Sequence, residues 1–259
     1  MPIGARSLAP ENTIIAAQKA IESGADMWEL DVQLTSDFLP IVFHDSTLNR
    51  TSDVSEFKKY STRQPWHVHS FAFSEIQELD AGTWFIKNDP FQQIKTGNIK
   101  KERISFLKKQ KIPTLKEALF FSKENNFPVN VEIKNLKGRP GHKIVVQKVF
   151  TIIKELELEN MVLISSFNPA YLYEIKKLNQ KLRTALLADS YQNNHIQILK
   201  DLDASAYHPN LKMMNNFDPT PFLNKGYRIH VWTVNDIKTV EFLIQKGIRG
   251  IFTDFPQIF

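Results

Sequence analysis

Met27-Trp28-Glu29-Leu30-Asp31-Val32 is an apolar run carrying two carboxylates at positions i and i+2. Successive side chains of a β-strand point to opposite faces, so Glu29 and Asp31 share one face. Met27, Trp28, Leu30 and Val32 mark a strand buried on both faces, the signature of a parallel sheet covered by helices. Two like charges on an inward face are costly unless a cation joins them. The alternative, a pair of surface carboxylates, fits poorly with those apolar flanks.

Outward from this stretch, short apolar runs alternate with amphipathic segments of helical length, which is the pattern of βαβ units. The strands expected are Met27 to Val32, Val129 to Ile133, Met161 to Ser165, Thr184 to Ala188, Ala204 to Tyr207, Arg228 to Thr233 and Gly250 to Thr253. A helix is expected over Thr13 to Ser23, closed by Gly24, and another over Thr114 to Lys123, where Thr114 and Glu117 form a capping box. The fold class is therefore α/β, a TIM-type β/α barrel. The seven strands are one short of a closed eight-stranded barrel.

Pro40 to Phe43 follows Val32 too closely for a parallel crossover and must fold back as a hairpin. With the turn centred between Asp37 and Phe38, facing residue numbers sum to 75, and Asp31 lies opposite His44. From 46 to 112 the rhythm lapses into a stretch rich in aromatic residues, including Trp66, Phe71, Phe73, Trp84 and Phe85. It reads as an insertion in a single domain spanning 1–259, either a cap over the carboxyl ends of the strands or a structural appendage.

Composition narrows the chemistry. The 259 residues include no cysteine, which excludes disulfides, thiolate catalysis and cysteine-ligated zinc, leaving carboxylates and imidazoles as metal ligands. No apolar run reaches the length of a membrane-spanning helix and no secretory pattern opens the chain, so a cytoplasmic location is the default expectation. The net charge is +5, with a basic run from Lys95 to Lys111 that reads as a solvated face rather than a nucleic-acid or membrane patch.

Val131-Glu132-Ile133-Lys134 repeats the spacing of the first strand, placing Glu132 and Lys134 on one face. Three carboxylates converging at a barrel mouth suit a hard divalent ion, Ca²⁺ or Mg²⁺. Lys134 is then either a phosphoryl-binding cation or an ordinary salt-bridge partner. His44, brought beside Asp31 by the hairpin, is a candidate general acid or base. His67, His69, His142, His195, His208 and His230 lack comparable company, and His230, alternating with Trp232, reads as a core or pocket-lining residue.

These residues, in this order, resemble the glycerophosphodiester phosphodiesterase family over essentially the whole chain. The blocks are Ala9-Pro10-Glu11-Asn12-Thr13, Glu29-Leu30-Asp31-Val32, Phe43-His44-Asp45, Leu79-Asp80-Ala81-Gly82 with Trp84-Phe85, and Ile112-Pro113-Thr114-Leu115. They continue through Glu132-Ile133-Lys134, Ser165-Ser166-Phe167, Val231-Trp232-Thr233-Val234-Asn235 and Gly250-Ile251-Phe252-Thr253-Asp254. The resemblance implies a β/α barrel of phospholipase-C-like kind, its first strand missing or truncated here, that hydrolyses a small glycerophosphodiester to an alcohol and glycerol 3-phosphate, in lipid and glycerol metabolism. It assigns the ion to Glu29, Asp31 and Glu132, phosphate to Lys134, the glycerol pocket to Trp232, and one of two acid–base roles to His44.

The other histidine of the family stands in a His-Arg-Gly triplet. Here Gly4 matches, but Pro2 and Ile3 occupy the histidine and arginine positions, and Arg6 is the nearest substitute for the arginine. Phe38 also replaces the glycine of the usual Asp-Gly turn, which favours a longer loop. Two other readings follow: a catalytically impaired barrel that still binds metal and phosphate, or a phospholipase-D-like enzyme acting on lysophospholipid or sphingomyelin head groups. The expectation for the amino terminus is that the natural chain starts upstream of Met1 and carries the missing strand, and such an extension could add a signal peptide.

Overall fold

The computed structural model describes residues 4–215 and 217–259; Pro2 and Ile3 lie outside the described residues. In chain order, α1 (Ile14–Glu22) leads into β1 (Trp28–Leu34) and β2 (Pro40–Val42). The stretch 46–112 holds 3-10 turns and the helices α2 (Phe73–Ile76), α3 (Thr83–Asn88) and α4 (Lys101–Leu107). The βα rhythm then runs through α5 (Leu115–Glu124), β3 (Val129–Ile133), α6 (Val145–Glu155), β4 (Val162–Ser166), α7 (Pro169–Leu178) and β5 (Arg183–Ala188). It ends with α8 (His195–Asp201), β6 (Ala206–Pro209), α9 (Thr220–Leu223), β7 (Arg228–Val231), α10 (Ile237–Gln245) and β8 (Gly250–Ile251).

One sheet runs in the order β2-β1-β3-β4-β5-β6-β7-β8, parallel throughout except for the β1–β2 hairpin. It curls into a β/α barrel that, among the described residues, has no ladder joining β8 to β1. The segment after Gly4 runs there instead: Ala5 is buried in the main core, and the Ser7 amide donates to the Asp254 carbonyl at 3.1 Å.

Local chemistry explains the helix ends. The Thr13 hydroxyl accepts from the Ala16 amide at the start of α1. At α5 the Thr114 hydroxyl accepts from the Glu117 amide, and the Glu117 carboxylate accepts from the Thr114 amide, which is the capping box expected from the sequence. Leu30, Val32, Val131 and Ile133 face the helices in the main core, while Glu29, Asp31 and Glu132 take the opposite, inner face. On that inner face Leu163, Ala185, Ala206 and Met27 form a separate apolar cluster, a floor toward the amino ends of the strands.

The hairpin register differs by one residue from expectation. Val32 faces Val42 and Leu34 faces Pro40, so facing numbers sum to 74. Thr35 to Leu39 form the longer loop, in which Phe38 itself takes the left-handed conformation at φ 58°. The Phe43 amide therefore donates to the Asp31 carbonyl at 2.8 Å, and His44 lies one residue beyond the position opposite Asp31. The stretch 46–112 builds its own apolar cluster around Leu48, Tyr60, Phe71 and Ile76, joined to Ile41 and Phe43 of the hairpin. A further cluster packs Phe85, Ile99 and Leu107 against Ala9 and Ala16. Among the described residues no helix is long and apolar enough to cross a membrane.

Candidate active site

Parallel register sets Asp31 beside Glu132 and Glu29 beside Asn130 on the inner face. One carboxylate oxygen from each of Glu29, Asp31 and Glu132 lies within 4.8 Å of the others, and all three residues are buried. Lys134, immediately past β3, places Nζ 2.8 Å from Glu132 Oε1 and 3.1 Å from Asp31 Oδ1. Asn12 completes the setting of Asp31. Its amide nitrogen donates to Asp31 Oδ2 at 2.8 Å, and its Oδ1 accepts from the Asp31 backbone N–H at 3.1 Å.

Electrostatics separate the three carboxylates. Burial, then the charges of Asp31 and Glu132, push Glu29 well above the usual carboxylate range. Burial pushes Glu132 up to about 7 against the pull of Lys134, with Asp31 adding to the rise. Burial also raises Asp31, but Lys134, His44 and the Asn12 amide outweigh it and hold this carboxyl below its ordinary value. Burial disfavours the charge on Lys134, yet Asp31 and Glu132 keep it above the ordinary lysine value. Three buried carboxylates thus face one lysine and are short of positive charge.

His44 Nδ1 lies 2.6 Å from Asp45 Oδ1. This hydrogen bond, together with the charge of Asp31, raises His44 above the ordinary histidine range despite partial burial. With Asp45 taking the Nδ1 proton in hydrogen bonding, Nε2 is the nitrogen left for acid–base work. The proximity to Asp31 expected from the hairpin therefore survives the register change, although the two residues are not cross-strand partners.

At the carboxyl ends of β4 and β7, the rings of Phe167 and Trp232 meet edge to face at 5.7 Å, and the Trp232 indole N–H donates to the His208 carbonyl at 2.8 Å. His230 Nδ1 is 2.9 Å from His208 Nε2, and burial pulls both imidazoles below the ordinary range, His230 to about 4. Arg6 is engaged by two acids: Nη2 lies 3.4 Å from Glu11 Oε2, and Nε lies 3.3 Å from Asp254 Oδ1.

The sequence profile of the Glycerophosphoryl diester phosphodiesterase family matches residues 4–258. The chain belongs to this family. A glycerophosphodiester phosphodiesterase of Caldanaerobacter subterraneus subsp. tengcongensis is 34% identical over 254 residues, covering 96% of this chain and 90% of that protein. One from Bacillus altitudinis is 32% identical over 252 residues, with 96% and 90% covered. The fold is shared with an Oleispira antarctica phosphodiesterase solved with the product sn-glycerol-3-phosphate, at a TM-score of 0.80 and 24% identity, with 99% and 92% of the two chains covered. This glycerophosphoryl diester phosphodiesterase family member is accordingly a phosphoric diester hydrolase.

Three residues around the family's site escaped the reading of the sequence. Gln33, on the same face of β1 as Glu29 and Asp31, donates to the carbonyls of Asp45 at 2.9 Å and His44 at 3.3 Å. The i+2 and i+4 spacing after Glu29 was the signal for it. Asn12 and Glu11 lay within a recognised block, but their partners stand far away in sequence.

Proposed function

We propose that this chain hydrolyses glycerophosphodiesters to an alcohol and glycerol 3-phosphate, as part of lipid and glycerol metabolism, with a divalent ion, Ca²⁺ or Mg²⁺. The observation that carries the reading is the buried triad of Glu29, Asp31 and Glu132 faced by a single lysine. All-oxygen donors short of positive charge fit a hard divalent cation, and these three residues would hold it. When bound, the ion would polarise the phosphoryl group and neutralise charge developing on its oxygens.

The chain's own groups supply the rest. Lys134, standing at the rim of the triad, offers its ammonium to a phosphate oxygen. His44, its Nδ1 held by Asp45, donates the Nε2 proton to the oxygen of the departing alcohol. Trp232 and Phe167 offer apolar faces to the carbon skeleton of the glycerol moiety.

Glycerophosphocholine supplied with Ca²⁺ or Mg²⁺ should yield glycerol 3-phosphate, and chelation should stop it. His44→Ala should lose roughly 10² to 10⁴ of kcat, the usual worth of one positioned acid–base group. Release that is unaffected by chelation, or a His44→Ala variant at full rate, would refute the mechanism.

A further inference from the structure

Arg50 lies outside every residue so far given a role, yet its guanidinium grips two carboxylates at once. Nε and Nη2 donate to the two oxygens of Asp45 at 2.5 and 3.0 Å. Nη1 and Nη2 donate to the two oxygens of Glu11 at 3.2 and 2.5 Å. Glu11 is buried and directly precedes Asn12, which holds Asp31 through its side chain. Asp45 holds His44 Nδ1. One chain runs from the carboxylate triad to the acid–base imidazole: Asp31, Asn12, its peptide neighbour Glu11, Arg50, Asp45, His44.

Gln33 fixes only the backbone carbonyls of the His44–Asp45 pair, and a fixed backbone leaves the Asp45 side chain free to turn. The second anchor must grip the carboxylate itself. A planar guanidinium meets two carboxylates in fixed geometry, whereas a lysine ammonium is a single point charge that cannot reproduce the fork. Arg50 and Asp45 are both partly exposed, and an ion pair there adds little stability, so the grip on Asp45 matters for geometry more than for energy.

We propose that Arg50 is a positioning residue that, anchored on Glu11, locks the Asp45 carboxylate against His44 Nδ1 and so fixes where Nε2 stands relative to the triad. This rests on the reading of His44 as the acid–base group. Arg50 touches no reacting atom and acts through Asp45. A misplacement of the acid by a fraction of an ångström lowers turnover while leaving substrate affinity nearly intact.

The test is ¹⁵N NMR of the His44 ring in the full chain, above its titration, for wild type, Arg50→Lys, Asp45→Asn and the double variant. Arg50→Lys should lower the fraction of the Nδ1–H tautomer, and Arg50→Lys added to Asp45→Asn should change nothing further. Glu11→Gln, which loosens the same guanidinium from its other side, should shift the tautomer in the same direction. Kinetics should show kcat for Arg50→Lys down roughly tenfold with KM within about twofold. An unchanged tautomer in a folded Arg50→Lys protein, or an equal effect with and without Asp45, would overturn the proposal. The ring signal needs no turnover, so an inactive protein with the expected tautomer response would count against hydrolysis and not against this role for Arg50.

Discussion

Replacing Glu132 by Gln in metal-free protein should stabilise the fold at pH 8 and remove most of its stabilisation by the ion. Glu132 is buried, and its carboxyl is pushed up to about 7 from an ordinary 4.5. Each tenfold change in proton affinity is worth about 1.4 kcal/mol, so holding this group ionised in the folded chain costs about 3 kcal/mol. The sign follows from linkage. A carboxyl raised in the folded state destabilises fully above its folded value, and that cost fades as pH falls toward the unfolded value. Glutamine keeps the shape and removes the charge, and Lys134 retains Asp31 as a partner at 3.1 Å.

Differential scanning in EDTA should therefore show a higher Tm for Glu132→Gln, by roughly 5 °C when about half of that energy is realised in a chain of this length. For wild type, Ca²⁺ at about 100 times Kd should add about 2.7 kcal/mol, and the variant should gain far less. A Tm for Glu132→Gln below wild type in EDTA, or equal gains on adding the ion, would refute the account of a triad short of positive charge.

The His208–His230 pair gives an acid limb of opposite sign. Both imidazoles are held neutral below the ordinary value, so between about pH 6.5 and pH 4 the unfolded chain takes up protons that the folded chain refuses, and stability falls as pH falls. His230→Gln should flatten that limb in urea titrations by up to about 3 kcal/mol at pH 4. A Cβ added at Gly250 would stand 2.1 Å from His230 Cδ2, so Gly250→Ala should cost about 1 to 3 kcal/mol in the same measurement. Trp232→Ala, which removes the ring packed on Phe167, should raise KM for a glycerophosphodiester more than it lowers kcat, as read by steady-state kinetics.

Much of this was legible in the residues because it is local. Strand periodicity placed β1 and β3 with their carboxylates on one face, and the Thr114 and Glu117 pair announced its own helix. The hairpin register failed by one residue because a bulky Phe38 does adopt a positive φ here, and a five-residue connection recentres the pairing on Asp37. Strand ends moved by a residue or two for a similar reason, since pairing partners rather than composition decide where a ladder stops. Glu11, Gln33 and Arg50 stayed invisible because each acts through a partner supplied by another segment. A lone arginine gives no periodic signal, and the period that puts Gln33 on the face of Glu29 and Asp31 does not say what it holds. The histidine pair hid likewise, its members 22 residues apart on neighbouring strands.

The most direct test of the central claim is ³¹P NMR of glycerophosphocholine incubated with the full chain and Ca²⁺ or Mg²⁺. The account requires the diester resonance to give way to that of glycerol 3-phosphate, with free choline released and with His44→Ala silent on the same time scale. Phosphocholine as the product, or a diester signal unchanged with either ion, would contradict it.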